Sequence, residues 1–196
     1  MDKILDMMKK AGRNAFRTSE YTALLGKKGY ARLVLHRLKV KGQIISIKNG
    51  WWAFPDAMPE AIASEVSKPC YISFHSALFL HGLTSQTPRK VQVAVIRKTK
   101  TYKIQGTHGF EIKEYKIKKN EFNKFYRKDG IMLAIPAKAL ADALTLPRTC
   151  PEIVIKEALG NMDISDLTMT EPLIHTSAAK KRLKRLIKYV RKNRTD

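Results

Sequence analysis

Apolar residues early in the chain fall at helical spacing three times and then change to a β-type pattern. Ile4, Leu5, Met7 and Met8 give an apolar face to a first helix over residues 3–11, before Gly12. Phe16 then anchors the following linker in the core. Tyr21, Leu24 and Leu25 mark a second helix, with Thr18 or Ser19 as its cap, Glu20 favoured in its first turn and Gly26 as its stop. Ala31, Val34, Leu35 and Leu38 define the buried face of a third helix over 29–41, ended by Gly42. Lys28, Arg32, His36 and Lys39 fall on its opposite face, and Arg37 and Lys41 flank it.

Residues 43–48 and 51–54 are β-prone runs joined by Asn49-Gly50, the residue pair that suits a type I′ hairpin turn. A two-residue turn pairs Lys48 with Trp51, Ile47 with Trp52 and Ile45 with Phe54. Strand alternation then predicts Ile45, Ile47, Trp52 and Phe54 on one core-closing face, with Lys48 and Trp51 turned away near the tip. Two helices across a tight glycine turn, the second of them basic, and then a hairpin predict a winged helix-turn-helix over 1–56.

Residues 57–176 read as a mixed α and β domain. Helices are expected over 60–67 (ended by Lys68-Pro69), 74–83, 136–146 and 151–159, and strands over 91–96, 110–117 and 131–135. Residues 177–196 form a basic C-terminal helix, running to Arg194, with Leu183, Leu186, Ile187 and Val190 as its apolar stripe. Lys180, Lys181, Arg182, Lys184, Arg185, Lys188, Arg191, Lys192 and Arg194 surround that stripe with no acid before Asp196. Ordinary exposed helices interleave both signs, so this helix is expected to lie along phosphates. The fold class is therefore α+β: a winged helix-turn-helix, a mixed α/β C-terminal domain and a basic last helix.

Charge sharpens the reading. Thirty-eight Lys and Arg against seventeen Asp and Glu leave a formal net charge of +21 on 196 residues. Such an excess repels itself in a compact state and calls for a polyanionic partner, double-stranded DNA first and an anionic membrane surface second. No run approaches the ~20 apolar residues of a spanning helix. The first residues, Met1-Asp2-Lys3-Ile4, start an amphipathic helix rather than a signal peptide. Two cysteines, Cys70 and Cys150, are too few for a disulfide framework, so buried thiols and a cytoplasmic, DNA-associated location are expected.

Arg32 and Lys39 have the donors to read guanine, and His36 can donate or accept. Lys48 and the indole N–H of Trp51 are placed to reach phosphates from the wing, and Lys181, Arg185, Lys188, Arg191 and Lys192 from the last helix. No catalytic set emerges. His36, His75, His81, His108 and His175 lack metal-ligand spacing, and His75 and His81 are expected as hydrogen-bonded structural residues. No Gly-x-Ser-x-Gly elbow surrounds Ser73 or Ser76, and no P-loop, dinucleotide fingerprint or close Asp-x-Asp pair occurs. The expectation is a non-enzymatic protein with no cofactor and no metal.

The segment Tyr71-Ile72-Ser73-Phe74-His75-Ser76-Ala77-Leu78-Phe79-Leu80-His81-Gly82-Leu83-Thr84 follows the winged helix, with Pro88 and Val91-Gln92-Val93-Ala94 soon after. With Ile135-Pro136-Ala137-Lys138-Ala139-Leu140-Ala141-Asp142 it resembles the AbiEi family of antitoxins over nearly the whole chain. That resemblance implies a DNA-binding N-terminal domain that represses its own promoter. It also implies a C-terminal domain that counters a nucleotidyltransferase-like toxin. Self-association on DNA is considered as a further partnership, with the oligomeric state left open. Only the basic positions of the third helix and wing carry over as DNA contacts. The last helix is more basic than the family leads one to expect. Two rival readings are an architectural DNA-coating protein without sequence preference and a toxin-neutralising interaction module.

Overall fold

A computed structural model describes residues 2–104 and 109–192, so His108 and Arg194 lie outside the described residues. The chain is α+β and builds two sheets. Helix α1 (Lys3–Lys10) is capped by the Asp2 carboxylate, which accepts from the Ile4 and Leu5 amides at 2.9 and 3.2 Å. Strand β1 (Ala15–Arg17) leads into α2 (Thr18–Leu25), whose first turn is held by Glu20 accepting from the Arg17 amide. Helix α3 (Lys28–Val40) follows after Gly26 and Lys27, then the hairpin β2 (Ile45–Lys48) and β3 (Trp51–Ala53). The three strands form an antiparallel sheet in the order β1-β3-β2.

Helix α4 (Pro59–Val66) leads to a six-stranded mixed sheet. Its strands are β4 (Cys70–Ile72), β5 (Val91–Val95), β6 (Lys100–Ile104), β7 (Phe110–Lys116), β8 (Phe125–Lys128) and β9 (Ile131–Ala134). The spatial order is β6-β7-β5-β4-β9-β8, parallel between β5 and β7 and between β4 and β9. Helices α5 (Phe74–Leu80), α6 (Pro136–Thr145), α7 (Glu152–Asn161), α8 (Ile164–Thr170) and α9 (Ser177–Lys192) complete the chain.

Side-chain direction along β4 assigns the two sheet faces. The Cys70 thiol meets the carbonyls of Ala63 and Ser64, so α4 lies on one face. The Tyr71 hydroxyl donates to Asp142 of α6 at 2.9 Å, so α6 lies on the other. A large core is built from both faces and includes Ala179, Leu183 and Leu186 of α9. A smaller one joins Leu5, Met8, Phe16, Tyr21, Ala31, Leu35, Leu38, Ile44 and Phe54. The predicted anchoring of Phe16 holds, since it is fully buried.

One charged pair sits inside the large core. Lys138 and Asp142, one turn apart on α6, meet at 2.6 Å, and Asp142 also accepts from Tyr71 and from Ser73 at 2.8 Å. Burial pushes the Asp142 carboxyl up, and the Lys138 ammonium opposes that shift. Removing one partner of such a pair leaves an uncompensated buried charge, which typically costs about 3–5 kcal/mol. Lys138→Met is therefore expected to lower unfolding stability by about that amount in a urea titration. A loss below about 1 kcal/mol would show that water reaches the pair.

Candidate nucleic-acid interface

Gly26 stops α2 in the left-handed region, at φ 72°, and this lets α3 begin two residues later and pack on α2. Ala31, Leu35 and Leu38 are buried and Val34 is half-buried, so the expected inner face of α3 is the observed one. The outer face differs in its middle. Gly29, Leu33, His36 and Val40 recur at three- and four-residue spacing along the line opposite the buried stripe. Leu33 is 46% and Val40 75% exposed. Arg32 and Lys39 are exposed on one edge of that line, and Arg37 and Lys41 on the other, where the latter two border a shallow hollow beside Asp2 and Tyr30. Lys28 opens the helix, and its side chain lies outside the described part of the structure. Sequence reasoning singled out the cations and passed over Leu33 and Val40. Their spacing with His36 was the available signal.

The β2–β3 hairpin is where the structure corrects the sequence most. Lys48 pairs with Trp51 as expected, but a bulge then sets Ser46 opposite Trp52 and Ile45 opposite Ala53. Trp52 and Phe54 consequently pack in the small core, while Ile45, Ile47, Trp51 and Ala53 turn to the large one. The four residues expected on one face are divided between two, because this sheet has protein on both sides.

Lys48 and Trp51 are likewise not free at the tip. The Lys48 ammonium donates to the Val66 carbonyl at 2.9 Å and lies 5.4 Å from the Trp51 ring and 4.6 Å from the Tyr102 ring of β6. Burial, the leading cause, lowers its pKa below the ordinary lysine value. Trp51 is half-buried, with the Arg17 guanidinium 4.9 Å from its ring. The expected phosphate contacts of Lys48 and Trp51 are replaced by a clamp on the second sheet. Glu65 of α4 adds a further tie, accepting from the Asn14 and Ala15 amides at 2.9 and 3.2 Å. The Thr18 amide donates to the Gly50 carbonyl at 2.9 Å, which fastens the hairpin turn to the start of α2.

Along α9, the stripe of Leu183, Leu186, Ile187 and Val190 packs on the large core as expected. Lys181, Arg185, Lys188, Arg191 and Lys192 are exposed. Acids from elsewhere partly answer this charge: Arg185 meets Glu152 at 2.6 Å and Lys184 meets Glu171 at 3.4 Å. The sequence of α9 alone could not show those partners.

The remaining candidate chemistry is structural. The Nε2 atoms of His75 and His81 hydrogen-bond the carbonyls of Gln86 and Ala134, each at 2.7 Å. Cys70 and Cys150 are buried free thiols that desolvation pushes up to about 12. Among the described residues no group of three or more His, Cys, Asp or Glu is placed to hold a metal, and no helix is long and apolar enough to cross a membrane. No family model matches the chain, and no curated protein matches it.

The two tryptophans give a test of the clamp. Trp52→Ala opens the small core and also frees the Thr18 hydroxyl, which accepts from the indole N–H at 2.9 Å. Trp51→Ala removes the ring on which the Arg17 and Lys48 cations rest. Each is expected to cost about 2–3 kcal/mol of unfolding stability, below the ~3–5 of a fully buried aromatic. A free wing tip would instead leave the Trp51→Ala stability within about 0.5 kcal/mol of the parent.

Proposed function

We propose that the protein is a double-stranded DNA-binding transcriptional regulator, and that residues 1–56 act as a winged helix-turn-helix with α3 as the recognition helix. The observation that carries this reading is the outer face of α3, an exposed line of Leu33, His36 and Val40 with cations on both edges and no carboxylate anywhere in the helix. A major groove about 12 Å wide admits one helix, with a phosphate strand along each side. In that pose Arg32 and Lys39 face one strand and Arg37 and Lys41 the other. His36 meets base edges as donor or acceptor, and Leu33 and Val40 offer apolar contact to thymine methyl groups. Arg32 and Lys39 thereby move from base reading to positioning.

Within DNA-binding regulators, the AbiEi antitoxins are the class we assign. Support comes from the two segments that carry the resemblance, which are bonded to each other: Tyr71 and Ser73 both donate to Asp142. They form one structural unit at the centre of the second sheet, as parts of a shared fold would. Autorepression of its promoter, a nucleotidyltransferase-like toxin as partner, self-association on DNA and a cytoplasmic location belong to this proposal. The exposed cations of α9 favour a second reading, a DNA-coating protein indifferent to sequence. Binding to labelled promoter duplex in excess random DNA separates the two.

On the promoter duplex, His36→Ala is expected to weaken binding by about 1–3 kcal/mol and to relax discrimination against random DNA. Lys39→Ala is expected to weaken binding to both duplexes alike and to reduce the salt slope by about 1. Fluorescence anisotropy with both duplexes checks this. Equal losses on promoter and random DNA for His36→Ala would remove the base-reading role.

A further inference from the structure

Five cations converge where the wing meets β6. Arg17 and Lys48 share the Trp51 ring, Lys48 also rests on Tyr102 of β6, Lys100 lies opposite Glu114 across the β6–β7 pair, and Arg97 joins Glu114 to the Lys68 carbonyl. Two of the five are committed to the fold. Lys48 is held by the Val66 carbonyl and the two rings described above. Arg97 donates to the Lys68 and Ser67 carbonyls at 2.7 Å each and pairs with Glu114 at 2.8 Å. Glu114 is fully buried, so its charge is matched by Arg97 and is withdrawn from the surface.

The other three are exposed: Arg17 at the end of β1, Lys68 in the turn before β4, and Lys100 at the start of β6. None forms an ion pair with a carboxylate among the described residues. Three elements far apart in sequence thus bring unneutralised charge to one place, at a cost in mutual repulsion that a polyanion relieves. Lysines on an edge strand also discourage pairing of sheet edges, which accounts for Lys100 on β6. The same reason reaches Arg17, at the end of the edge strand β1 of the three-stranded sheet, but not Lys68, which lies in the turn before β4.

We propose that Arg17, Lys68 and Lys100 form a second phosphate-binding surface, over which the backbone of a duplex seated on α3 continues past the wing. This rests on the DNA-binding reading above. In a free wing the tip itself would touch the backbone. Here the tip lysine is consumed in docking, and the cations that surround the dock take over that contact. The ligand chemistry is the phosphodiester backbone, read without regard to sequence.

The test is the salt dependence of duplex binding by the full chain, using DNA long enough to extend beyond α3 and the wing. Arg17→Gln/Lys68→Gln/Lys100→Gln is expected to make the slope of log K against log salt about 2.7 less steep, at about 0.9 per phosphate contact. Because Arg17 also rests on Trp51, the pair Lys68→Gln/Lys100→Gln is measured beside it, with about 1.8 expected. Arg127→Gln, on β8 at the opposite sheet edge, is expected to leave the slope as it is. If the unmodified protein binds duplex and the variants match its slope, this surface is wrong while the α3 reading stands. An equal drop from Arg127→Gln also overturns it, since the effect would then be one of overall charge. If the unmodified protein binds no duplex at low salt, the DNA-binding reading itself fails and takes the surface with it.

Discussion

Strand β3 has apolar protein on both faces, and the placement of the candidate contacts on the hairpin follows from that. Trp52 and the neighbouring Phe54 look into the small core, and Trp51 and Ala53 look into the large one. A three-stranded sheet with one solvated face would leave the helices before it to swivel about a linker. Covered on both sides and tied by Glu65 and Lys48, it holds α3 at a fixed attitude to the six-stranded sheet. Interfaces between domains that are small and polar permit relative motion; an apolar core shared across the junction opposes it.

The distribution of charge fits that rigidity. Inside, cations are answered one by one: Lys138 by Asp142, Arg97 by Glu114, Lys48 by a carbonyl and two rings. On α9 some exposed cations find acids on neighbouring elements, as Arg185 does with Glu152. Along the outer edges of α3, and around the docked hairpin, exposed cations form no ion pair with a carboxylate among the described residues, though Asp2 shares the hollow that Arg37 and Lys41 border. Net charge alone marks a protein for polyanions in general.

Much of this was legible in the sequence. Helix α3 announced its inner face through Ala31, Leu35 and Leu38, and Asn49-Gly50 gave the hairpin and its Lys48–Trp51 pairing. The bulge beyond that pair was not legible, because alternation assumes a regular ladder and one extra residue reverses every face after it. Nor was the fate of Trp51: a strand pattern separates two faces without saying that both are covered. Strands β1 and β4 are only three residues long, and β6 and β8 carry lysines as sheet edges do, so neither pair stood out by hydrophobicity. Helix α8 went unseen because its first residue, Ile164, is 84% exposed and no apolar stripe marks it. No sequence pattern marked Lys138 for the core. Its burial depends on an acid four residues on and on the hydroxyls of Tyr71 in β4 and Ser73 just after it.

The central claim, that the outer face of α3 holds duplex DNA, is tested most directly by titrating the unmodified protein against a fluorescent duplex between 50 and 200 mM salt. If α3 sits in the groove with phosphates on both edges, six to ten contacts imply an affinity loss of roughly 10³–10⁵ over that range, linear in log salt. An affinity that stays flat across the range, or no binding at 50 mM, would contradict it.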